Sequence, residues 1–390
     1  MISEVMPSYG RVDVAFERGD GAYLFTSDGQ KFLDFASGIA VTSLGHNHPH
    51  LVAALTEQAS KLWHCSNLFR IPEQERLAHR LVENSFADTV FFANSGVEAV
   101  EAGLKLVRKF HHDSGAPERY RTITFDGSFH GRTLSAISAG ANAAHQTGFG
   151  PLMDAFDHVS FGNLNEVRNA ITAETGSILV ESVQGEGGIR PGDEAFLRGL
   201  RETCDEFGLL LFYDEVQTGM GRTGHLFGYE AAGVAPDVMS LAKALGGGFP
   251  IGACLATERA AVGIVPGTHG STFGGNPLAT AVANAVLDVM LEDGFMSNVR
   301  AMGDALMSEA SGLQKKWPDI IELVRGAGLM IGLKSVVPNG DLVTACREAG
   351  LLTVPAAENI VRLLPPLIID NSHVDEAIGM IDTACRALSE

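Results

Sequence analysis

LLLFYDEVQTG at positions 209–219 and DVMSLAKALGGGFP at positions 237–250 carry the reading of this 390-residue chain. Each run is apolar without strict alternation and ends on a charged side chain, Asp214 in the first and Lys243 in the second. A short continuous apolar run bounded by turn signals suits a strand buried on both faces, as in a parallel sheet covered by helices. In such sheets ligands gather outside the carboxyl ends of the strands. The two runs therefore bring a carboxylate and an amine, with Ser240 in the second strand, to one edge of a buried sheet. Taken alone, Lys243 reads first as a solvated lysine at a strand end, because surface lysines are common.

Outward from these runs the pattern repeats. TVFFANS (89–95), TITFDGS (122–128), SILVES (177–182) and IGACLAT (251–257) are further strand candidates. GVEAVEAGLKLVRKF (96–110) has helical spacing at Val100, Leu104 and Val107, and segments 163–174 and 195–207 also read as helices. Nearer the amino terminus, GAYLFTSDGQKFLDF (21–35) predicts two short strands around Ser27-Asp28-Gly29, and helices are expected after Pro49 and from Pro72. The carboxy-terminal third differs: helices over 276–292 and 295–316, short strands near 321–334, 351–355 and 360–364, and a last helix from 373. The expected fold is α/β, a large domain with a mainly parallel central sheet sandwiched by helices and a smaller α/β domain beside it.

Composition narrows the function. Hydrophobic residues make up 45% and charged residues 19%, ordinary for a globular enzyme. Lys plus Arg number 28 and Asp plus Glu 47, a net charge of −19 with no basic block, so nucleic acid is not an expected partner. An anionic small substrate would need arginines placed locally. MISEVMPSYG carries Glu4 and lacks the regions of a signal peptide. The richest apolar run, VANAVLDVML, is interrupted by Asn284 and Asp288, and no membrane span is expected. Cys65, Cys204, Cys254, Cys346 and Cys385 are odd in number, scattered and free of any CxxC, which suits reduced thiols in the cytoplasm. Glycine is plentiful at 45 residues, and it concentrates in turns such as QGEGG, KALGGG and STFGG, where a backbone can approach a ligand closely.

Several smaller motifs offer chemistry. FFANSGVEA (91–99) sets Asn94-Ser95-Gly96 between a strand and a helix, which makes either an anion site or an ordinary cap. It lacks GxGxxG and the Walker lysine, so a dinucleotide or nucleoside triphosphate is disfavoured. DGSFHGRT (126–133) offers Phe129 to stack on a planar ring and Arg132 to fork onto a carboxylate, or else is a surface turn. GHNHPH (45–50) alternates three histidines without partner ligands, and no metal is expected. His64-Cys65 is a poor nucleophile and base pair, since adjacent residues seldom face each other. Glu181 and Glu186 flank Val183-Gln184-Gly185 and, without the other motifs, read as turn residues.

Together these segments resemble the class III (subgroup II) aminotransferases of the fold-type I pyridoxal-phosphate family, nearest to the branch that acts on N-acetylornithine. The resemblance rests on ANSGVEAVEAGLKLVRK, SFHGRT, ESVQGEGG, LLLFYDEVQTGMGRTG, GVAPDVMSLAKALGGGFPIGA, THGSTFGGNPLA and NIVRLLPPL, in the family's order over nearly the whole chain. It implies pyridoxal 5'-phosphate as cofactor, with Lys243 as the Schiff-base lysine and Asp214 as partner of the ring nitrogen. Gln217 would contact the phenolic oxygen, and Phe129 would stack on the ring. Ser95, Gly96 and Val97 would hold the phosphate, joined by Thr272 from the neighbouring subunit of a homodimer with active sites at its interface. Arg132 and Arg362 would bind substrate carboxylates, Glu186 would mask Arg362, and Ser271 and Ile39 would border the substrate. The expected division is an amino-terminal segment (1–55) packing with the small domain, a large domain (56–277) and a small domain (278–390).

Three positions depart from the family pattern. Val97 stands where a threonine is usual, Ser182 where a proline is common, and Ile39 where relatives acting on free ornithine carry a tyrosine. The implied reaction moves the ω-amino group of N2-acetyl-L-ornithine to 2-oxoglutarate, giving N-acetyl-L-glutamate 5-semialdehyde and L-glutamate. The competing readings are an aminotransferase for succinylornithine, ornithine or 4-aminobutyrate, an aminomutase of the same fold, and a non-catalytic binding or regulatory protein, against which the presence of Lys243 and the lack of any appended module such as a helix-turn-helix count.

Overall fold

The computed structural model describes residues 4–390. The amino-terminal part forms β1 (Phe16–Asp20), β2 (Tyr23–Thr26) and β3 (Lys31–Asp34). The central region carries β4 (Thr89–Ala93), β5 (Arg121–Phe125), β6 (Phe156–Val159), β7 (Thr175–Val180), the two-residue strands β8 (Val183–Gln184) and β9 (Arg190–Pro191), β10 (Leu210–Asp214), β11 (Val238–Leu241) and β12 (Gly252–Ala256). The last third adds β13 (Ile321–Ala327), β14 (Met330–Ser335), β15 (Leu351–Leu352), β16 (Val354–Ala356) and β17 (Ile360–Leu363).

Seven strands make the central sheet in the order β4-β12-β11-β10-β7-β5-β6. Neighbours run parallel except β12, which is antiparallel to both β11 and β4. The apolar runs are continuous because both faces are covered. Leu211, Tyr213, Met239 and Leu241 point into the main core. Leu210, Phe212 and Val238 point the other way, onto Val100, Leu104 and Val107 of the helix Gly96–Asp113. That helix sits close enough that a Cβ at Gly103 would lie 2.3 Å from Phe212 Cζ. The glycine therefore sets the helix-to-sheet spacing at this point.

A second, antiparallel sheet of order β13-β14-β17-β16 packs with the helices Phe295–Lys316, Asn339–Glu348 and Asn371–Ser389. The amino-terminal sheet, β1-β2-β3-β15, takes its last strand from this region through parallel pairing of β15 with β3. The helix Pro277–Met290 packs against the helices Pro49–Ala59 and Pro72–Glu83.

The expected elements are present with shifted ends, and some features were not anticipated. The strand expected to run through Lys243 ends at Leu241; Lys243 has φ of 44° and opens a 3₁₀ turn. The strand expected through Ser95 ends at Ala93, because Ser95 caps the following helix by accepting from Glu98 N. The last helix begins at Asn371, two residues before its expected start, behind a capping box formed by Asp370 and His373. Strands β1 and β6 and the short β8–β9 hairpin are too brief or too polar to show a clear period.

Candidate active site

The carboxyl ends of β4, β5, β7, β10 and β11 open on one cavity of about 340 Å³. Its lining includes Ser95, Gly96 and Val97 after β4, Phe129 and His130 after β5, and Glu181 after β7. Asp214 and Gln217 follow from β10, and Lys243 from β11, while Glu186 reaches in from the β8–β9 hairpin. Residues that sit far apart in sequence thus meet because parallel strands all point the same way.

Asp214 is almost fully buried and its carboxylate is held from three sides. Oδ1 accepts from Ser240 Oγ at 3.1 Å and from Val216 N at 3.1 Å, while Oδ2 lies 2.7 Å from His130 Nδ1. His130 is itself buried; loss of water disfavours its charged form, but the Asp214 contact outweighs this and its pKa rises. The other ring nitrogen, Nε2, has no protein partner. Sequence reading named Asp214 but gave His130 no role, although it lies beside Phe129 in DGSFHGRT.

Lys243 lines the cavity and is half-buried among protein atoms. This enclosure pushes its ammonium pKa down to about 8, with Arg362 pushing the same way and Glu186, Asp214 and Glu181 opposing. An amine in that range is available as a base near neutral pH. Its left-handed backbone, uncommon outside glycine, follows from the turn that lifts it off the end of β11.

Arg362, on β17, is buried and donates from Nη1 to Glu186 Oε1 at 2.9 Å and from Nη2 to the carbonyl of Pro355 at 3.0 Å. Nε has no partner. Glu186 is about one-third exposed, so only one end of the pair faces solvent. The hairpin that carries Glu186 is tied to the small sheet by Ala357 N, which donates to Glu186 O, and by Arg325, which donates to Gly188 O.

Other expected site residues lie around this centre or away from it. Arg132 is exposed, with its guanidinium 5.6 Å from the Phe129 ring centroid and Nη2 donating to His145 Nε2 at 3.1 Å. Ser271 Oγ accepts from Gly274 N and Asn94 Nδ2. Thr272 is exposed and does not line this chain's cavity. Ile39 is 39% exposed, and within its segment Val41 is the residue that lines the cavity. Ser37, Gly38, Ile39 and Ala40 all have left-handed φ. Asp34 holds this turn by accepting from Ala36 N and Ser37 N, and its other oxygen lies 2.7 Å from His46 Nε2.

Glu181 also belongs to the site. Its signal in the sequence was the one that revealed Asp214, a carboxylate directly after an apolar strand. Val41 and Phe249 line the cavity without any sequence signal we can name.

The residues fit a phosphorylated pyridine cofactor. Gln217 Oε1 is buried with no protein partner, a free acceptor at the cavity wall. The first amides of the helix Gly96–Asp113 have no carbonyl ahead of them, which suits an anion. A side chain at Gly96 would collide with Val216 Cγ1 at 2.7 Å, and one at Gly252 with the carbonyl oxygen of Ser95 at 2.2 Å. The volume is within the range of small-ligand pockets. Val97, in the place of the usual threonine, packs over Gly131, where a Cβ would lie 2.3 Å from Val97 Cγ2.

Comparison with known proteins agrees with this geometry. A family model described as aminotransferase class-III matches residues 5–385. The chain is 56% identical over 385 residues to acetylornithine aminotransferase 1 of Bradyrhizobium diazoefficiens, covering 99% of this chain and 95% of that one. The solved N-acetylornithine aminotransferase of Stenotrophomonas maltophilia superposes with a TM-score of 0.86 at 39% identity, covering 98% of each chain. The ornithine aminotransferase of Toxoplasma gondii gives a TM-score of 0.94 at 30% identity, over 99% of this chain and 93% of that one. A half-buried lysine and a buried aspartate at the ends of adjacent strands, in a chain matched along nearly its whole length, lead to one assignment: it belongs to the class-III aminotransferases, which work through pyridoxal 5'-phosphate.

Proposed function

We propose that this chain transfers the ω-amino group of N2-acetyl-L-ornithine to 2-oxoglutarate, a step of arginine biosynthesis. The observation that carries the reading is the buried Arg362 paired with the half-open Glu186 beside Lys243. An enzyme for an ω-amine must bind one substrate with no carboxylate next to the reacting carbon and another, 2-oxoglutarate, that has one. A buried arginine with a removable internal partner answers both needs, because neither state leaves its charge uncompensated. The relatives named for N-acetylornithine at 56% and 39% identity support the same substrate. Val41, which lines the cavity in place of Ile39, is apolar and offers no partner for a free α-ammonium, whose desolvation would cost on the order of a few kcal/mol.

The bound cofactor supplies an electron sink for the pair left when a proton leaves the amine-bearing carbon. Lys243 Nζ would take that proton from the substrate carbon and deliver it on the cofactor side instead of back to the same carbon, a role suited to its lowered pKa. Asp214, fixed by Ser240, Val216 and His130, would keep the ring nitrogen protonated. Gln217 would hold the phenolic oxygen, Phe129 would cap the ring, and Ser95, Gly96 and Val97 would hold the phosphate. Arg132 would take the α-carboxylate of the acylated donor and the far carboxylate of 2-oxoglutarate, with Ser271 beside the substrate. Arg362 would take the near carboxylate of 2-oxoglutarate once Glu186 turns away.

The active unit in this reading is a two-fold dimer in which Thr272 reaches the partner's phosphate site. Its support is an exposed surface around that residue. Phe273 is 59% exposed and Leu68 88%, and the two loops are joined by Asn67 Nδ2, which donates to the carbonyls of Ser271 and Gly274. We assign the enzyme to the cytoplasm, supported by five free cysteines. No described helix is long and apolar enough to cross a membrane.

A donor screen tests the substrate. With 2-oxoglutarate as acceptor, N-acetylornithine should give a higher kcat/KM than N-succinylornithine, ornithine or 4-aminobutyrate. Better turnover of free ornithine would reject the acylated donor, and turnover without any oxo acid would point to an aminomutase instead.

A further inference from the structure

We infer that Glu181 is a positioning residue that joins the segment carrying Phe129 to the hairpin carrying Glu186. The side chain is buried directly after β7, which lies between β10 and β5 within the central sheet. Oε1 accepts from Phe129 N at 2.9 Å and Oε2 accepts from Gly185 N at 3.1 Å. One carboxylate thus bridges two backbone segments 56 positions apart, reckoned from Phe129 to Gly185. Each of these segments adjoins a residue with a separate task, one capping the cofactor and the other gating Arg362. The hairpin side is closely packed as well: a Cβ at Gly185 would meet Gln217 Oε1 at 2.5 Å.

Other uses of Glu181 fit less well. Both oxygens are already committed to amides, which leaves little capacity for a general base at the reacting carbon. Among the described residues, no group of three His, Cys, Asp or Glu side chains is arranged to hold a metal ion. The charged groups near it are His130 and Asp214, fixed to each other beside the cavity, and Lys243. Burial pushes the Glu181 pKa up to about 7, with the two amides and His130 resisting that rise. The two amide contacts need two acceptor oxygens. A carboxamide supplies only one and sets an NH₂ against the second N–H. Glu181→Gln is therefore nearly isosteric yet breaks one end of the strut.

The inference rests on the roles of Phe129 and Glu186 proposed above, and the test separates it from them. Glu181→Gln and Glu181→Asp are made in the native chain, in Phe129→Ala and in Glu186→Ala. The dissociation constant of pyridoxal 5'-phosphate is measured by equilibrium dialysis. KM for 2-oxoglutarate and for N-acetylornithine are measured in separate half-reactions. Glu181→Gln should weaken cofactor binding about tenfold or more and change the ratio of the two KM values, as expected for loss of a hydrogen bond to a charged group. It should add nothing to the cofactor loss in Phe129→Ala and nothing to the KM shift in Glu186→Ala. Glu181→Asp, which keeps both oxygens on a shorter stem, should fall between and serves where the glutamine variant does not fold. Losses that multiply in both backgrounds, or constants within twofold of native, would overturn the inference. Normal cofactor binding by Phe129→Ala alone would instead remove the role of Phe129, leaving the hairpin arm to be judged on the KM ratio.

Discussion

Replacing Glu186 with alanine separates the two substrates. Arg362 is buried and its Nη1 lies 2.9 Å from Glu186 Oε1, so the pair is short but open to solvent at the carboxylate end. Two unit charges about 4 Å apart at an effective dielectric of about 20 attract by about 4 kcal/mol. Because Glu186 is about one-third exposed, water competes for it, and holding its side chain in place costs entropy; the net value falls to about 1–2 kcal/mol. That is the energy 2-oxoglutarate must offset when its near carboxylate displaces Glu186 from Arg362. Glu186→Ala should lower KM for 2-oxoglutarate by about 5-fold to 30-fold, since about 1.4 kcal/mol is a factor of ten. The donor half-reaction should lose efficiency, because N-acetylornithine then faces an uncompensated buried guanidinium. Single-turnover kinetics of the two half-reactions gives both numbers. An unchanged or higher KM for 2-oxoglutarate, in a variant with native thermal stability, would refute the masking role. Equal losses in both half-reactions would do the same.

Borohydride treatment of the holoenzyme should fix the cofactor on Lys243, and peptide mapping that finds the label elsewhere would sink the assignment of that residue. If Thr272 serves the partner's site, mixing inactive Lys243→Ala and Thr272→Ala chains should restore partial activity. One site of each mixed dimer then collects both lesions and the other none. No recovery on mixing would argue that each chain completes its own site. A pH prediction concerns Glu215, whose carboxyl accepts from Gly228 N and Tyr229 N but is pushed up to about 8 by burial. A raised folded-state pKa means the folded protein holds a proton that the unfolded chain releases near pH 4.5. Its contribution is therefore fully present below that value and lost as pH rises toward about 8, at up to about 1.4 kcal/mol per pH unit. Urea midpoints at pH 5 and 8 should converge in Glu215→Gln relative to the native chain, and an unchanged difference would count against this account.

The alternation of apolar strands and helices was legible without any structure, because a strand buried on both faces needs a continuous apolar run and leaves a plain mark. The positions of Asp214, Lys243 and Ser95 at the ends of such runs were legible too, where a parallel sheet delivers its functional groups, but Lys243 alone read as a solvated lysine and Ser95 as a possible cap, and only the family resemblance gave them roles. Sequence periodicity carries no information about what a side chain meets across the fold. His130 acquires its role only because β5 and β10 end at the same edge, which brings its ring to 2.7 Å from Asp214. Glu181 looked like a turn residue until folding brought the amides of Phe129 and Gly185 onto its two oxygens. The same holds for Lys243, whose left-handed turn and lowered pKa depend on the atoms packed around it. Ile39 and Val41 show the limit most directly. Both are apolar residues two positions apart, and the left-handed turn held by Asp34 decides that Val41 lines the cavity. Local sequence set the elements and the types of side chain at their ends, whereas hydrogen-bond partners, burial and charge compensation arose only when distant segments packed together.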